Sequence, residues 1–210
     1  MNTSNPFLFL LDTAFDIFTM LLLLRYLLQW VGADFYNPLS QFIVKITNPV
    51  VTPVYNLLAL FAPDPNKQRG NGEDNIHQLH NNLPKRQLLS TGAVALFLAY
   101  DFILIKLVLI ATLAGIQLSA VALLLGSAHD LITLIITVFI FAVFIQVILS
   151  WLNPDPRNPV IAILNSLTAP VLTPVRRFVK PISGLDLSPI VALIGLMFLD
   201  RLVTYLFQMI

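Results

Sequence analysis

Long hydrophobic blocks separated by polar connections dominate the pattern of this chain. Four blocks approach the roughly 20 residues that an α-helix needs to cross a bilayer: Phe7–Trp30, Leu88–Thr112, Leu131–Trp151 and Leu187–Ile210. We expect each block to be a membrane span. The apolar stretch Gly115–Gly126 is too short to cross alone. It is predicted either to lie in the interface or to extend its neighbours.

The second half of the chain repeats the first. Trp30 aligns with Trp151 without a gap through Val54 and Val175, and 10 of these 25 positions are identical. We expect two domains, 1–112 and 113–210. The positions that define the repeated motif are Trp30, Asp34, Asn37, Pro38, Pro49 and Pro53 in the first half, and Trp151, Asp155, Asn158, Pro159, Pro170 and Pro174 in the second.

The repeated motif predicts an interfacial structure. Asn37-Pro38 and Asn158-Pro159 are typical of helix starts, with Asn as N-cap and Pro in the first turn. Amphipathic stretches follow, too short to span. Two prolines four residues apart then interrupt helical hydrogen bonding in TNPVVTPV and TAPVLTPV. Each octamer therefore predicts a hinge between two short interfacial helices.

The halves differ after the first octamer, where residues 63–87 form a polar insertion with no apolar period. Such composition predicts a mobile surface loop. It contains His77 and His80, which alone are too few ligands to indicate a metal site.

Composition limits the class of protein. The chain is 57% hydrophobic and 11% charged, against about 25% charged in ordinary soluble domains, so it is predicted to be an integral membrane protein. A net charge of +1 gives no reason to expect nucleic acid. There is no cysteine and no nucleophile, phosphate-loop or zinc-protease motif. We expect no enzymatic activity, no cofactor and no metal.

Basic residues predict the orientation. Nine of the 12 Lys and Arg lie after the first and third apolar blocks, which places those segments in the cytoplasm and both termini outside. The expected fold is an all-α membrane protein with four transmembrane helices in two parallel repeats, each a helix, interfacial amphipathic helices and a helix. Arg176, Arg177 and Lys180 are expected to contact anionic lipid headgroups.

Charged residues inside the spans are functional candidates because they are costly in lipid. Asp101 and Asp200 fall near mid-span in the two halves. Each either pairs with a neighbouring base, Lys106 or Arg201, or lines an ion path. Arg25 is expected to snorkel to the cytoplasmic surface.

Asp34 and Asp155 recur before the Asn-Pro pairs. They either accept backbone N–H groups near a helix start or form a symmetric pair of cation or headgroup ligands. We favour backbone capping, because one carboxylate per half is too few for a closed metal site.

The doubled W…NP…PV-x-TP pattern, followed by G-x-D-x-SP at 184–189, resembles the YggT family of bacterial inner-membrane proteins, whose relatives occur in cyanobacteria and plastids. The first half departs from the pattern, since the insertion replaces G-x-D-x-SP. The resemblance implies an inner-membrane location and links to osmotic or potassium stress, cell-division gene neighbourhoods and, in plastids, assembly of a cytochrome b subunit and nucleoid distribution. It implies no catalytic residues.

Two functions follow as hypotheses. The preferred one is a non-enzymatic scaffold or assembly and stress-tolerance factor that recruits partners through the cytoplasmic interfacial helices. The alternative, motivated by Asp101 and Asp200, is a small oligomeric cation channel or osmotic or potassium-stress transporter. Expected partners are the lipid bilayer and other membrane proteins or a second copy.

Overall fold

The structure, a computed structural model, describes residues 6–61, 76–152, 158–179 and 186–209. This part of the chain is all α. Its six helices are α1 (Pro6–Trp30), α2 (Pro38–Phe61), α3 (Ile76–Leu113), α4 (Ala120–Leu152), α5 (Pro159–Phe178) and α6 (Ser188–Gln208). Five helices are long and apolar enough to cross a bilayer: α1, α3 from Thr91, α4 to Leu149, α5 and α6. The chain is thus a multi-pass membrane protein by helix length and composition.

Local chemistry explains where the first helix ends and the next begins. Gly32 has φ 69°, a left-handed conformation that Gly adopts easily, and Ala33 N–H bonds the Leu28 carbonyl at 2.9 Å. This is the usual C-terminal cap of a helix. The predicted start of α2 is confirmed, since Asn37 Oδ1 accepts the Leu39 N–H at 3.0 Å. Asn158 caps α5 in the same way through the Val160 N–H at 2.9 Å.

The predicted hinge in each octamer is wrong. α2 runs unbroken through Pro49 and Pro53, and α5 through Pro170 and Pro174. All four prolines lie on exposed faces of their helices. The carbonyls that lose a donor can therefore reach water or headgroups, so continuing the helix costs less than it would in a buried interior. The threonines before Pro53 and Pro174 are helical, not extended.

One connection differs from expectation, and a second decides between two predicted alternatives. Residues 76–87 of the polar insertion are helical, as the first turns of α3, and not a loop; residues 62–75 lie outside the described part of the chain. Of the two alternatives for Gly115–Gly126, the extension is observed, because α4 begins at Ala120. Hydrogen bonding within a continuous helix satisfies these backbone groups more completely than an isolated turn could.

Within each repeat the two long helices pack together, α1 on α3 and α4 on α6, and the proline helix packs against both. Corresponding residues form the two cores. Leu22 and Val51 are fully buried in the first repeat, and Val143 and Leu172 occupy the same places, 121 residues later, in the second. A third cluster joins the repeats, with Leu23 and Leu27 of α1 against Val138, Phe139 and Ala142 of α4 and Leu164 and Leu167 of α5.

Candidate functional site

A buried arginine holds the first proline helix against the first long helix. Arg25 is only 4% exposed. Its Nη1 donates to Thr47 Oγ1 and to Asn48 Oδ1, each at 2.9 Å. Thr47 and Asn48 open the octamer, so the guanidinium binds directly at its start. The prediction that Arg25 snorkels is wrong, because its Nη1 forms hydrogen bonds with these neutral oxygens inside the protein.

The second repeat has the same contact with different chemistry. Gln146 stands 121 residues after Arg25, and Thr168 stands 121 after Thr47. Gln146 Oε1 accepts from the Thr168 hydroxyl, and its Nε2 donates to Asn165 Oδ1 at 3.1 Å. We call these two contacts, Arg25 with Thr47 and Asn48 and Gln146 with Thr168 and Asn165, the polar anchors. Sequence reasoning missed them, although polar residues at matched positions of the repeated spans were a usable signal.

The Asn-Pro pairs join the two repeats. Asn37 Nδ2 donates to the Pro159 carbonyl at 2.7 Å, while its Oδ1 caps α2. Asp34 Oδ1 accepts the Tyr36 N–H at 2.9 Å, as the capping interpretation predicts. Trp30 ends α1 with its ring exposed, and Trp151 lies in the last turn of α4. Asp155 lies outside the described residues.

A buried lysine in the spans, Lys106, pairs with a half-buried and an exposed aspartate and not with the residue considered from the sequence. Lys106 Nζ lies 2.6 Å from Asp16 Oδ1 and 3.2 Å from Asp12 Oδ1, linking α3 to α1. Of the two alternatives for Asp101, the pairing with Lys106 is therefore not observed. Residues 101 and 106 are five apart, which turns their side chains to different sides of α3, whereas Asp12 and Asp16 are one turn apart and share a face.

Asp101 and Asp200 are both half-buried, and neither forms an ion pair within the described ranges. One carboxylate oxygen of Asp200 is buried without a hydrogen-bond partner there. Arg201, its expected partner, is exposed. Adjacent helical residues point about 100° apart, so this pair was geometrically unfavourable from the start.

A second contact fixes the start of α6. Asp186 accepts hydrogen bonds from the Ser188 hydroxyl and from the Ser188 N–H, and its other oxygen lies 3.1 Å from Arg176 Nε. The Ser188 hydroxyl, its N–H and the Arg176 charge hold the pKa of Asp186 below its ordinary value. Arg176 thus joins α5 to α6. Arg177 is exposed, and Lys180 lies outside the described residues.

The proline helices also present apolar side chains outward. Phe42 of α2 is 56% exposed and Val160 of α5 is 45% exposed, next to the buried Ile43 and Ile163. Each helix thus has one face anchored on its repeat and another available to lipid or protein. Among the described residues no group of three or more His, Cys, Asp or Glu is arranged to hold a metal ion.

Comparison with known proteins places these features in one family. The family model described as CCB3/YggT matches residues 4–63 and 125–207. An uncharacterized protein of Vibrio alginolyticus is 34% identical over 94% of this chain and 93% of its own. One from Pseudomonas aeruginosa is 32% identical over 93% and 87%. The uncharacterized protein YggT of Escherichia coli K12 is 29% identical over 89% and 83%. No solved structure matches the chain.

Proposed function

The chain belongs to the CCB3/YggT family, and from that membership we propose that it is a non-enzymatic scaffold, an assembly or stress-tolerance factor of the bacterial inner membrane. It recruits other membrane proteins through α2 and α5. The observation that carries this proposal is the pair of polar anchors. They hold each proline helix by side-chain hydrogen bonds, buried in the first repeat and partly exposed in the second, while Phe42 and Val160 stay exposed on another face.

The supporting reason is energetic. A buried guanidinium and a half-buried glutamine amide among spans are costly unless they form specific contacts. Both anchors end on the octamer that the two repeats share, so both stabilise the same surface. Rigidly held apolar side chains lose little conformational entropy on binding, which favours a docking surface over a loosely attached helix.

The proposed topology has four spans, with both termini in the periplasm and α2 and α5 on the cytoplasmic surface. α5 is apolar enough to cross, but α2, its counterpart, is not among the five such helices in the described part of the chain. Because α2 and α5 are two copies of one motif, we expect both to lie on the membrane surface. Arg176 and Arg177 in the last turn of α5 also favour a surface position.

Reporter fusions test the topology. We expect fusions at Asn71 to report cytoplasm and those at Ser119 and at both termini to report periplasm. If α5 crossed, the two termini would report opposite sides, and the four-span arrangement would be rejected.

Site-specific photocrosslinking in living cells tests recruitment. A photoreactive residue at Phe42 or Val160 should give discrete adducts with other membrane proteins. The neighbouring Ile43 and Ile163, which are 4% and 5% exposed, provide matched controls that should react only within the chain. Adducts with lipid alone at Phe42 and Val160 would refute the scaffold.

A further inference from the structure

A cavity between the repeats lies beside the Lys106 cluster. It has a volume of about 360 Å³ and is open on one side of the bundle. Its polar lining comes from α1, α3 and α4, as Asp16, Thr19, Lys106, Asp130, Thr133 and Thr137. Asp16 lies 10 residues into α1, roughly 15 Å along its axis, so the cavity lies within the membrane-spanning part of the bundle.

The threonines of this cavity leave their hydroxyls without a partner. A helical Thr commonly bonds the carbonyl four residues back, as Thr13 does to Phe9 at 2.8 Å and Thr204 to Asp200 at 3.0 Å. Within the described part of the chain, no such bond is found for Thr19, Thr133 or Thr137, and Thr133 Oγ1 is buried without any hydrogen-bond partner. Thr19 is nevertheless only 2% exposed. A buried hydroxyl without a partner, such as that of Thr133, in the lining of a cavity favours a polar occupant of that space.

The charges around the cavity do not balance. Asp16 and Asp130 line the cavity with two carboxylates, Lys106 lines it with one ammonium group, and Asp12 contacts that ammonium group from outside the lining. His129 Nδ1 lies 3.1 Å from Asp130 Oδ1 and compensates that carboxylate only when the ring is protonated. Excess negative charge at this depth is costly. A cation in the cavity would offset it.

We propose that this cavity binds a hydrated alkali cation, with Asp16, Asp130 and the hydroxyls of Thr19, Thr133 and Thr137 as its oxygen donors. Oxygen donors suit hard cations. The room, equal to about ten waters at 30 Å³ each, lets the ion keep part of its hydration. A divalent ion would need more converging carboxylates. This proposal is independent of partner recruitment by α2 and α5.

Equilibrium binding of ⁸⁶Rb⁺ to the purified full chain in lipid nanodiscs tests the site, with N-methyl-D-glucamine chloride keeping the ionic strength constant. We expect saturable binding that unlabelled sodium or potassium displaces. Asp130→Asn should weaken it at least tenfold, and Thr137→Val at least threefold. Two matched controls should stay within twofold of wild type. Asp101→Asn makes the same charge change outside the cavity lining, and Thr13→Val removes a hydroxyl already bonded within its helix.

Thermal unfolding gives a second readout, because a ligand that binds only the folded state raises its melting temperature. The wild type and both controls should melt higher in KCl than in N-methyl-D-glucamine chloride, and Thr137→Val should lose most of this difference. If Asp130→Asn fails to fold, Thr137→Val decides alone. Rubidium binding no greater than that of empty nanodiscs, or equal binding by Thr137→Val and wild type, would overturn the proposal.

Discussion

At the scale of single residues, the two halves attach the proline helix to the preceding long helix with different side chains. Arg25 and Gln146 occupy equivalent positions, and each binds the threonine that opens an octamer. Arg25 donates to the Thr47 hydroxyl, whereas Gln146 accepts from the Thr168 hydroxyl, so the shared feature is hydrogen bonding and not charge. The full positive charge in the first half has a carbonyl and two side-chain oxygens around it.

Arg25→Ala should therefore destabilise the protein. Hydrogen bonds to charged groups contribute about 1.5–3 kcal/mol each, and we expect a loss of about 3 kcal/mol in the free energy of unfolding, measured by denaturant titration in bicelles. Arg25→Gln, which imitates the second repeat, should lose less than half of that. An equal loss in both variants would show that an amide cannot replace the guanidinium.

Asp186 supplies a prediction for pH. Because its pKa is lowered in the folded state, ionised Asp186 stabilises the fold fully above its ordinary pKa of about 3.9. That stabilisation is lost as pH falls through the lower, folded pKa. Asp186→Asn should melt below wild type at pH 7, and the difference should persist to about pH 4 and shrink below it. A difference that stays constant down to pH 2 would contradict this origin.

At the scale of elements, the proline helices show how environment overrides a local rule. Proline interrupts helices because it lacks a donor and its ring clashes with the preceding turn. Here the interruptions lie on exposed faces, while Thr47 and Val51 on the opposite face are fully buried. Burial of one face stabilises the helix through the prolines. The octamer sequence alone does not predict this continuity, because it does not show which face of the helix is buried.

Single-cysteine labelling tests the continuity of α2, and the native chain has no cysteine to interfere. With a membrane-impermeant maleimide added to inside-out membrane vesicles, cysteines at Thr47 and Val51 should be protected, and those at Asn48 and Thr52 should react. The same alternation should appear in α5, with Thr168 and Leu172 protected against Thr173. If protection no longer followed the helical period after Pro49, α2 would be two helices separated by a hinge.

At the scale of the whole molecule, the repeats are joined by a shared apolar core and by one hydrogen bond between their Asn-Pro pairs. The joining bond uses Asn37 and not its counterpart Asn158, for which the described structure gives only the capping bond. The two repeats therefore differ in this contact: within the described residues, only the Asn of the first repeat bonds the other repeat. A substitution of Asn158 can therefore serve as the control for the same substitution of Asn37.

Asn37→Ala should cost more than Asn158→Ala. Loss of an N-cap costs roughly 1 kcal/mol, which both variants share. Asn37→Ala also removes the bond to the Pro159 carbonyl, worth about 1 kcal/mol more. The difference between the two free energies of unfolding measures the contact between repeats. Equal values would mean that this contact does not contribute to stability.

The sequence by itself determined the membrane class, the internal duplication, the long apolar helices and the Asn caps. These are properties of composition and of residues close in the chain, so hydropathy and spacing suffice to read them. Family membership rests on the same repeated residues.

Only the tertiary structure decided which polar groups meet. Lys106 binds Asp16 across 90 residues of sequence, and Arg25 binds Thr47 across 22. The cavity that joins Asp16 to Asp130 exists only because α1, α3 and α4 pack together. The physical reason is that a buried charge selects its partner by the packing of whole helices, and no local pattern records that geometry.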